Sequence, residues 1–262
     1  MKKILLKFLR KNIKISLLLD IIKKSLLIFK NIKKASLKHS IIFLPKIIQG
    51  VAFIQKNKNI HLNQKEFFDN KFQWSYEDVF SPNIPVWEKI VSQFVSINYL
   101  EIGSFEGRST VFIAEQKNIK SVMAVDTFEG SDEYDKNGMV KHNHVSFVTV
   151  YKNFKNNLSL VNKKNINFLK DTSDNFFINN KSQFNLIYID GSHHYGNVKK
   201  DFINSYNCIE KNGIMIFDDF LWFYYDDYKK NPICAIIECY EKYKNNLELI
   251  FLNHQIIFRK LK

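Results

Sequence analysis

Short apolar segments of strand length alternate with segments of helical periodicity from residue 98 onward. This alternation restricts the fold more than any other feature, because strands separated by helices form a mostly parallel sheet that helices cover on both faces. The predicted strands are 98–103, 120–126, 166–170, 184–190 and 213–218. The predicted helices are 86–95, 107–117, 143–157, 172–180, 196–210 and 232–244. Two last apolar runs, 247–253 and 255–260, predict an antiparallel hairpin at the edge of this doubly wound α/β sheet.

The basic charge of the chain is concentrated in its first 58 residues. The sequence has 39 Lys and Arg against 26 Asp and Glu, a formal net charge of +13. Residues 1–58 contain 15 of the bases and a single acid, Asp20, whereas residues 59–262 contain 24 bases and 25 acids. The sequence therefore predicts three parts: a basic amphipathic helical extension at 1–58, a linker and cap at 59–95, and the main domain at 96–262.

Residues 2–34 predict a helix, since the first proline is Pro45 and no glycine precedes it. One stripe of this helix is basic and another is apolar. The stripe residues are Lys3, Lys7, Arg10 and Lys14, and Leu5, Leu9, Ile13, Leu19, Ile22, Leu26 and Phe29. Charged residues interrupt the apolar runs, which are too short to span a bilayer, and no signal peptide is recognisable.

Three explanations of this extension stay open. Residues 1–45 could lie on an anionic membrane surface, where both apolar and basic side chains would find partners. They could instead pack on the main domain or form a homodimer, or they could bind nucleic acid. Three cysteines without metal-ligand spacing indicate a reducing compartment. We therefore expect a cytoplasmic protein, with a peripheral membrane location as the further hypothesis.

The first predicted strand runs into a glycine loop. Its sequence, Glu101-Ile-Gly103-Ser104-Phe-Glu-Gly107, precedes a predicted helix. Gly103 would allow a sharp turn and a close approach of the backbone to a ligand, and Gly107 would allow the helix to begin near it. The spacing differs from that of dinucleotide-binding and P-loop motifs. The loop therefore predicts a ligand site without defining the ligand.

Polar residues also follow the next two strands. Asp126 ends the second strand, about 20 residues beyond the glycine loop, where an acid can accept hydrogen bonds from a ribose. Asp171 and Thr172 end the third strand and could reach an adenine. All three could equally cap the helices that follow.

Carboxylates and a histidine follow the fourth and fifth strands. Asp190, Asp218 and Asp219 should converge, because these two strands are neighbours in such a sheet. Three carboxylates favour a divalent cation, Mg²⁺ in particular, although they could also contact substrate or cap loops. His193 is the candidate general base, with a loop-holding role as the alternative. The aromatic segment 221–228 could stack on an acceptor or pack within the protein.

Together these motifs resemble class I S-adenosylmethionine-dependent methyltransferases, which have a Rossmann-like fold. Residues 98–220 are similar to the family that includes macrocin O-methyltransferase-like and cephalosporin-hydroxylase-like proteins. The similarity is closest in Ile189-Asp190-Gly191-Ser-His193-His-Tyr-x-x-Val198-x-x-Asp201 and in the Gly213-x-x-x-x-Asp218-Asp219 strand end. Asn212 replaces a glycine of the family pattern.

The resemblance implies roles for the quoted residues. Glu101, Gly103, Ser104 and Gly107 would hold the methionine end of S-adenosylmethionine, Asp126 its ribose, and Asp171 or Thr172 its adenine. Asp190, with His193, would serve catalysis, and Asp190, Asp218 and Asp219 would bind the metal.

The expected activity is O-methylation of a small molecule or a glycan. The alternatives are a non-catalytic or hydroxylase-like protein of the same fold, or a nucleic-acid methyltransferase. The last is disfavoured, because the loop after the fourth strand lacks the adjacent prolines of amino-methylating enzymes, and no Pro-Cys of cytosine-5 enzymes occurs.

Overall fold

The computed structural model describes residues 2–57, 59–130 and 145–262, without the side chains of 2–16 and 60–64. The helices are α1 Lys2–Ala35, α2 Leu37–Ile42, α3 Leu44–Asn57, α4 Ile60–Lys71, α5 Ile84–Val91, α6 Arg108–Ala114, α7 Phe147–Ser159, α8 Ser173–Asn179, α9 Tyr195–Cys208 and α10 Pro232–Tyr243. The strands are β1 Ile97–Ile102, β2 Ile119–Asp126, β3 Ile166–Lys170, β4 Phe184–Ile189, β5 Ile209–Phe217, β6 Leu247–Leu252 and β7 Ile256–Lys260.

The seven strands form one sheet in the order β3-β2-β1-β4-β5-β7-β6. The first five are parallel, and β7 pairs antiparallel with both β5 and β6. The predicted doubly wound fold with its C-terminal hairpin is therefore confirmed. The strand order reverses between β1 and β4, which is where sheets of this type bind ligands.

Side chains of the central strands alternate between two buried layers. Leu100 and Ile187 point to one face of the sheet, whereas Tyr99 and Leu186 point to the other. Helices cover both faces, so the central strands are mostly apolar instead of alternating with polar residues.

The helices α1–α3 complete one of these layers. Ile32, Phe43 and Ile47 are fully buried in the same cluster as Phe258 of β7. Helix α3 lies so close to β6 that a Cβ atom at Gly50 of α3 would be 1.9 Å from the Leu252 carbonyl oxygen. Residues 28–51 are thus part of the same core as the sheet, although by charge they belong to the basic extension and not to the main domain.

Most of the described part of the apolar stripe predicted for α1 faces outward, whereas its last residue, Phe29, packs against the core. Leu19, Ile22 and Leu26 are exposed, whereas Ile28 and Ile32 are buried. The basic stripe at residues 3–14 lies outside the described side chains. Among the described residues, we find no helix with both the length and the apolar character needed to cross a membrane.

Two segments differ from the sequence-based expectation. Strand β5 begins at Ile209, where a helix is predicted to continue, and its register with β4 shifts before Ile214. Asn212 accommodates this irregularity with a φ of +64°. Helix α4 occupies part of the segment predicted as linker and cap. The start of the helix predicted at 143 lies outside the described residues; α7 begins after Ser146, whose side chain accepts from Thr149 N.

Candidate active site

A cavity of about 640 Å³ opens at the carboxyl ends of β1, β2, β4 and β5. This volume lies within the range of small-molecule sites. The predicted site residues that line it are Gly103, Ser104, Asp126, Asp171, Thr172, Asp190, His193, Asp218 and Asp219. Glu101 and Gly107 do not line the cavity. Glu101 contacts α6, and Gly107 is the residue that precedes this helix.

Gly103 lies between the ends of two neighbouring strands. Its N–H donates to the Val125 carbonyl at 2.8 Å, and Asp190 N donates to the Ile102 carbonyl at 2.8 Å. A Cβ atom at Gly103 would lie 2.1 Å from the Asp190 carbonyl oxygen, and the φ of Gly103 is +85°. The glycine thus makes room for the backbone that carries Asp190. Gly107 is the residue before α6, with a φ of +87°.

Glu101 lies beneath the glycine loop, out of contact with solvent. Its two carboxyl oxygens accept hydrogen bonds from the hydroxyls of Ser109 and Thr110 on α6. Burial raises the pKa of Glu101 to about 8, although these two hydroxyls lower it. Glu101 therefore anchors the start of α6 to β1 in this structure.

Asp126 binds the glycine loop directly. Its Oδ2 accepts from Ser104 N at 2.7 Å and from Phe105 N at 2.9 Å, and its Oδ1 accepts from Phe128 N at 2.6 Å. A carboxylate offers about four acceptor positions, so about one is left for a ligand hydroxyl. The Ser104 hydroxyl is buried and has no hydrogen-bond partner among the described residues. Asp126 and Ser104 together offer one acceptor and one hydroxyl to a bound molecule.

Asp171 and Thr172 line the cavity and also cap α8. The Thr172 hydroxyl accepts from Asn175 N at 3.2 Å, and Asp171 Oδ1 accepts from Thr172 N at 2.7 Å. The capping role that the sequence left open is therefore present in the structure. Contact of either residue with an adenine stays a prediction.

Two carboxylates and an imidazole meet at the other end of the cavity. His193 Nε2 lies 2.9 Å from Asp219 Oδ2 and 3.8 Å from Asp190 Oδ1. One potential ligand atom from each of the three residues lies within 4.8 Å of the other two. The cluster differs from the predicted ligand set, because His193 takes the place expected for Asp218.

The Asp218 carboxylate points into the protein. Its Oδ2 accepts from Tyr188 Oη and from Gln255 Nε2, the latter at 2.9 Å, and its Oδ1 accepts from Asp219 N at 2.8 Å. Tyr188 Oη also lies 2.8 Å from Asp190 Oδ2. A phenol has a single proton, so it can donate to only one of the two carboxylates at a time.

Burial and mutual repulsion raise the pKa of both carboxyl groups. For Asp190 the burial effect comes first, followed by the charge of Asp218. For Asp218 burial is again largest, followed by the charge of Asp219. Because one phenol proton serves both, a proton or a cation shared by Asp190 and Asp218 would stabilise the cluster.

His193 has one nitrogen committed to this cluster. Its Nε2 can donate a proton to Asp219, or it can coordinate a cation with the lone pair once that proton is lost. The same nitrogen cannot do both, so a base role and a ligand role for Nε2 exclude each other. The ring lies 4.7 Å from the Trp222 ring, which lines the cavity beside it.

Several residues of the site were not predicted as such. Glu106, within the glycine loop, is buried and binds the cap: it accepts from Ser75 N at 2.9 Å, Tyr76 N at 3.2 Å and Asn153 Nδ2 at 2.7 Å. Gln255, from the hairpin, holds Asp218 and also accepts from Trp87 Nε1 at 3.0 Å. The one sequence signal for these contacts is the acid between the two glycines of the loop, because the contacting residues are far apart in sequence.

The aromatic segment 221–228 packs within the protein, as one of its two interpretations predicts, and stacking on an acceptor stays a prediction. Trp222 lines the cavity, where it could stack on a ligand. Tyr228 Oη donates to the Asn31 carbonyl of α1 at 2.9 Å, and Lys34 Nζ lies 5.6 Å from the Phe223 ring centre. One loop therefore contacts both the cavity and α1.

Part of the chain is similar to known proteins. Residues 100–220 match the model of a family described as a methyltransferase domain. Over 139 residues, 52% of this chain, the sequence is 31% identical to an uncharacterized protein of Acanthamoeba polyphaga mimivirus, and the match spans about half (55%) of that relative.

This chain is similar to several solved structures. A Staphylococcus aureus protein described as a candidate caffeoyl-CoA O-methyltransferase is 14% identical, with a TM-score of 0.53 over 80% of this chain and 99% of that one. An O-methyltransferase from Bacillus cereus, in complex with S-adenosylhomocysteine, is 14% identical with a TM-score of 0.48, over 80% and 91% of the two chains. The chain therefore shares its fold with the Staphylococcus aureus protein, and its residues 100–220 are similar to a methyltransferase domain.

Proposed function

We propose that this protein is an S-adenosylmethionine-dependent methyltransferase that methylates a hydroxyl group of a small molecule or a glycan. One observation carries the proposal. The glycine loop, Asp126 and the cluster of Asp190, His193 and Asp219 line a single cavity at the carboxyl ends of four strands. We assign the protein to the macrocin O-methyltransferase-like subgroup, because its sequence motifs resemble those of that subgroup.

The residues at one end of the cavity fit the cofactor. The free hydroxyl of Ser104 and the remaining acceptor position of Asp126 suit the polar groups of a nucleoside. Backbone carbonyl groups of the loop from Gly103 to Phe105 would accept hydrogen bonds from the ammonium group of the amino acid end, and Asp171 or Thr172 would face the base. When bound, the cofactor supplies an electrophilic methyl group on a positively charged sulfur.

The chain must align the acceptor and take its proton. A hydroxyl oxygen gains the methyl group while its O–H bond breaks, so a nearby base has to receive the proton. Asp190 and His193 are the two candidates in the cavity. Asp190 has a raised pKa, which makes it the carboxylate better suited to act as the base. His193 can accept the proton only while its Nε2 carries no proton and coordinates no cation. Trp222 would stack against the acceptor.

The acidic end also fits a divalent cation. Asp190, Asp219 and His193 would provide two oxygen ligands and one nitrogen, with waters completing the coordination sphere. Carboxylates suit Mg²⁺, and an added imidazole also suits Mn²⁺. A cation there would lower the pKa of a coordinated hydroxyl and fix its position.

Calorimetry with S-adenosylmethionine tests the cofactor site. We expect the full-length protein to bind the cofactor and Asp126→Ala to weaken binding at least tenfold, because it removes the remaining acceptor and releases the glycine loop. Glu210→Ala, at the amino end of β5, is the matched control and should bind normally. Absence of binding by the wild-type protein at millimolar cofactor would contradict the proposal.

Electron paramagnetic resonance with Mn²⁺ alone tests the metal site separately. We expect Asp190→Asn and Asp219→Asn to lose binding at least tenfold, and His193→Gln to weaken it. Asp226→Asn, an exposed acid outside the cavity, should bind as the wild type does. If all four variants bind Mn²⁺ with the same affinity, the cluster is not a metal site. The calorimetric test of cofactor binding does not depend on this outcome.

A further inference from the structure

The outer face of α1 is the surface that the proposed activity leaves unexplained. On the inner side, Ser25, Ile28 and Ile32 are buried against α3 and α10. A helix packed in this way normally exposes a polar face to water. Residues 18–34 do not follow this rule.

The exposed arc of α1 mixes large apolar and basic side chains. At about 100° per residue, eight of them fall within about 140° of the helix circumference. They are Leu19, Ile22, Leu26 and Leu27, which are 46–60% exposed, and Lys23, Lys30, Lys33 and Lys34. We call this arc the outer face of α1.

The next two helices, which pack with α1, also expose apolar side chains. Leu37 and Ile41 on α2 are exposed by 54% and 58%, and Ile48 on α3 by 46%. Nine of the nineteen exposed large apolar residues in the described part of the chain lie between residues 18 and 48. This concentration marks a contact surface.

The charge of the region selects the partner. Asp20, the single acid of residues 1–58, already pairs with Lys24 at 3.3 Å, so the lysines of the outer face have no acid to match them within this region. A two-fold dimer would set the same lysines of two copies against each other. Nucleic acid would satisfy the lysines but would leave the leucines in water.

We propose that the outer face of α1, with Leu37, Ile41 and Ile48, docks on the surface of an anionic lipid bilayer. The leucines and isoleucines enter the boundary between headgroups and acyl chains, and the lysines meet the lipid phosphates. This surface contains none of the cavity residues, so the inference does not depend on the proposed function.

Vesicle sedimentation of the full-length protein tests the apolar part. The vesicles are phosphatidylcholine alone, or phosphatidylcholine mixed with phosphatidylglycerol. We expect sedimentation with the mixed vesicles only. The combined variant Leu19→Ser, Leu26→Ser, Leu27→Ser should lose it. The matched control, Val95→Ser, Val148→Ser, Ile178→Ser, removes three apolar residues outside α1–α3 that are even more exposed and should bind normally.

A second pair of variants tests the basic part. Lysines near an anionic surface each contribute about 1 kcal/mol, so Lys23→Gln, Lys30→Gln, Lys33→Gln together should weaken binding about a hundredfold. The control Lys117→Gln, Lys164→Gln, Lys211→Gln removes the same charge from exposed positions of the main domain. It should bind as the wild type does.

Three results would overturn the inference. One is equal sedimentation with neutral and anionic vesicles that the lysine variants do not change. Another is a dimer in light scattering without vesicles that the Leu→Ser variant dissociates, which would make the outer face a protein interface. The third is absence of sedimentation with either vesicle. Unchanged thermal unfolding and cofactor binding of each variant would exclude misfolding as the cause.

Discussion

Glu101 shows how burial can change what a predicted site residue does. Its position two residues before Gly103 is where the resemblance implies contact with the cofactor. In the structure the side chain is buried beneath α6, and its two oxygens accept hydrogen bonds from Ser109 and Thr110. A carboxyl group that is costly to ionise is well suited to holding two elements together while it stays protonated.

The raised pKa of Glu101 predicts a pH-dependent stability. Burial raises it from 4.5 to about 8, so between these values the folded protein keeps a proton that the unfolded chain releases. Stability should therefore decrease as pH rises through this window, by up to about 1.4 kcal/mol per pH unit, and level off above it. Glu101→Gln is neutral at every pH and should lack this decrease.

Chemical denaturation of both proteins from pH 4.5 to 9 measures the difference. Glu210→Gln, a partly exposed acid at the opposite end of the sheet, is the control. If the wild type and Glu101→Gln change in parallel with pH, Glu101 is ionised in the folded protein and the assignment is wrong.

At the scale of elements, the cap segment 73–80 is bound to the glycine loop through side chains. Glu106 accepts the backbone N–H groups of Ser75 and Tyr76, and Asn157 forms two hydrogen bonds with the backbone of Gln73, at 2.8 and 2.9 Å. Tyr76 also packs on Phe105 of the loop, with ring centres 5.4 Å apart. The cap and the glycine loop should therefore move together.

Glu106→Gln should separate them. An amide has one oxygen and one NH₂ group, so a donor would face the donors of the cap, at a cost of about 1–3 kcal/mol. We expect faster hydrogen exchange at residues 73–80 and weaker cofactor binding. Glu77→Gln makes the same change at an exposed residue of the cap and should have little effect. Unchanged exchange in Glu106→Gln would show that the contact does not hold the cap.

The sequence predicted these elements better than their side-chain contacts. The strands and the strand ends that carry Asp126, Asp190 and Asp219 follow from local patterns of apolar and polar residues. The contacts of Gln255 with Asp218 and Trp87 do not, because they join residues 37 and 168 positions apart. Likewise, the orientation of Asp218 depends on Tyr188, a residue whose local pattern indicates only a buried strand.

At the scale of the whole molecule, charge and packing divide the chain differently. By charge, residues 1–58 are separate from a nearly neutral remainder. By packing, α1–α3 close one face of the sheet, with Phe43, Ile47 and Val51 in the same buried cluster as Phe217 and Phe258. The predicted domain boundary at 58 therefore does not coincide with a boundary of the core.

Two adjacent isoleucines of α3 test this view. Ile47 is fully buried and Ile48 is 46% exposed. Ile47→Ala should lower the free energy of unfolding by about 2–5 kcal/mol, because it leaves a cavity between α3 and the sheet. Ile48→Ala should change it by less than about 0.5 kcal/mol.

Denaturant titration followed by the fluorescence of the three tryptophans, which all lie outside α1–α3, provides the measurement. The two changes should also leave a single transition for the whole chain, since α3 and the sheet share their core. A separate early transition in Ile47→Ala would instead mean that α1–α3 unfold independently.

The loop from Trp222 to Tyr228 connects the cavity with α1 through two residues that are six positions apart. Its first residue lines the cavity beside His193, and its last is bonded to Asn31 of α1. A single insertion between them would displace either the indole from the cavity or the phenol from the helix. Evolution toward a new acceptor would therefore require compensating changes at the end of α1. Among homologues, the length of this loop and the residues at positions 31–34 should covary.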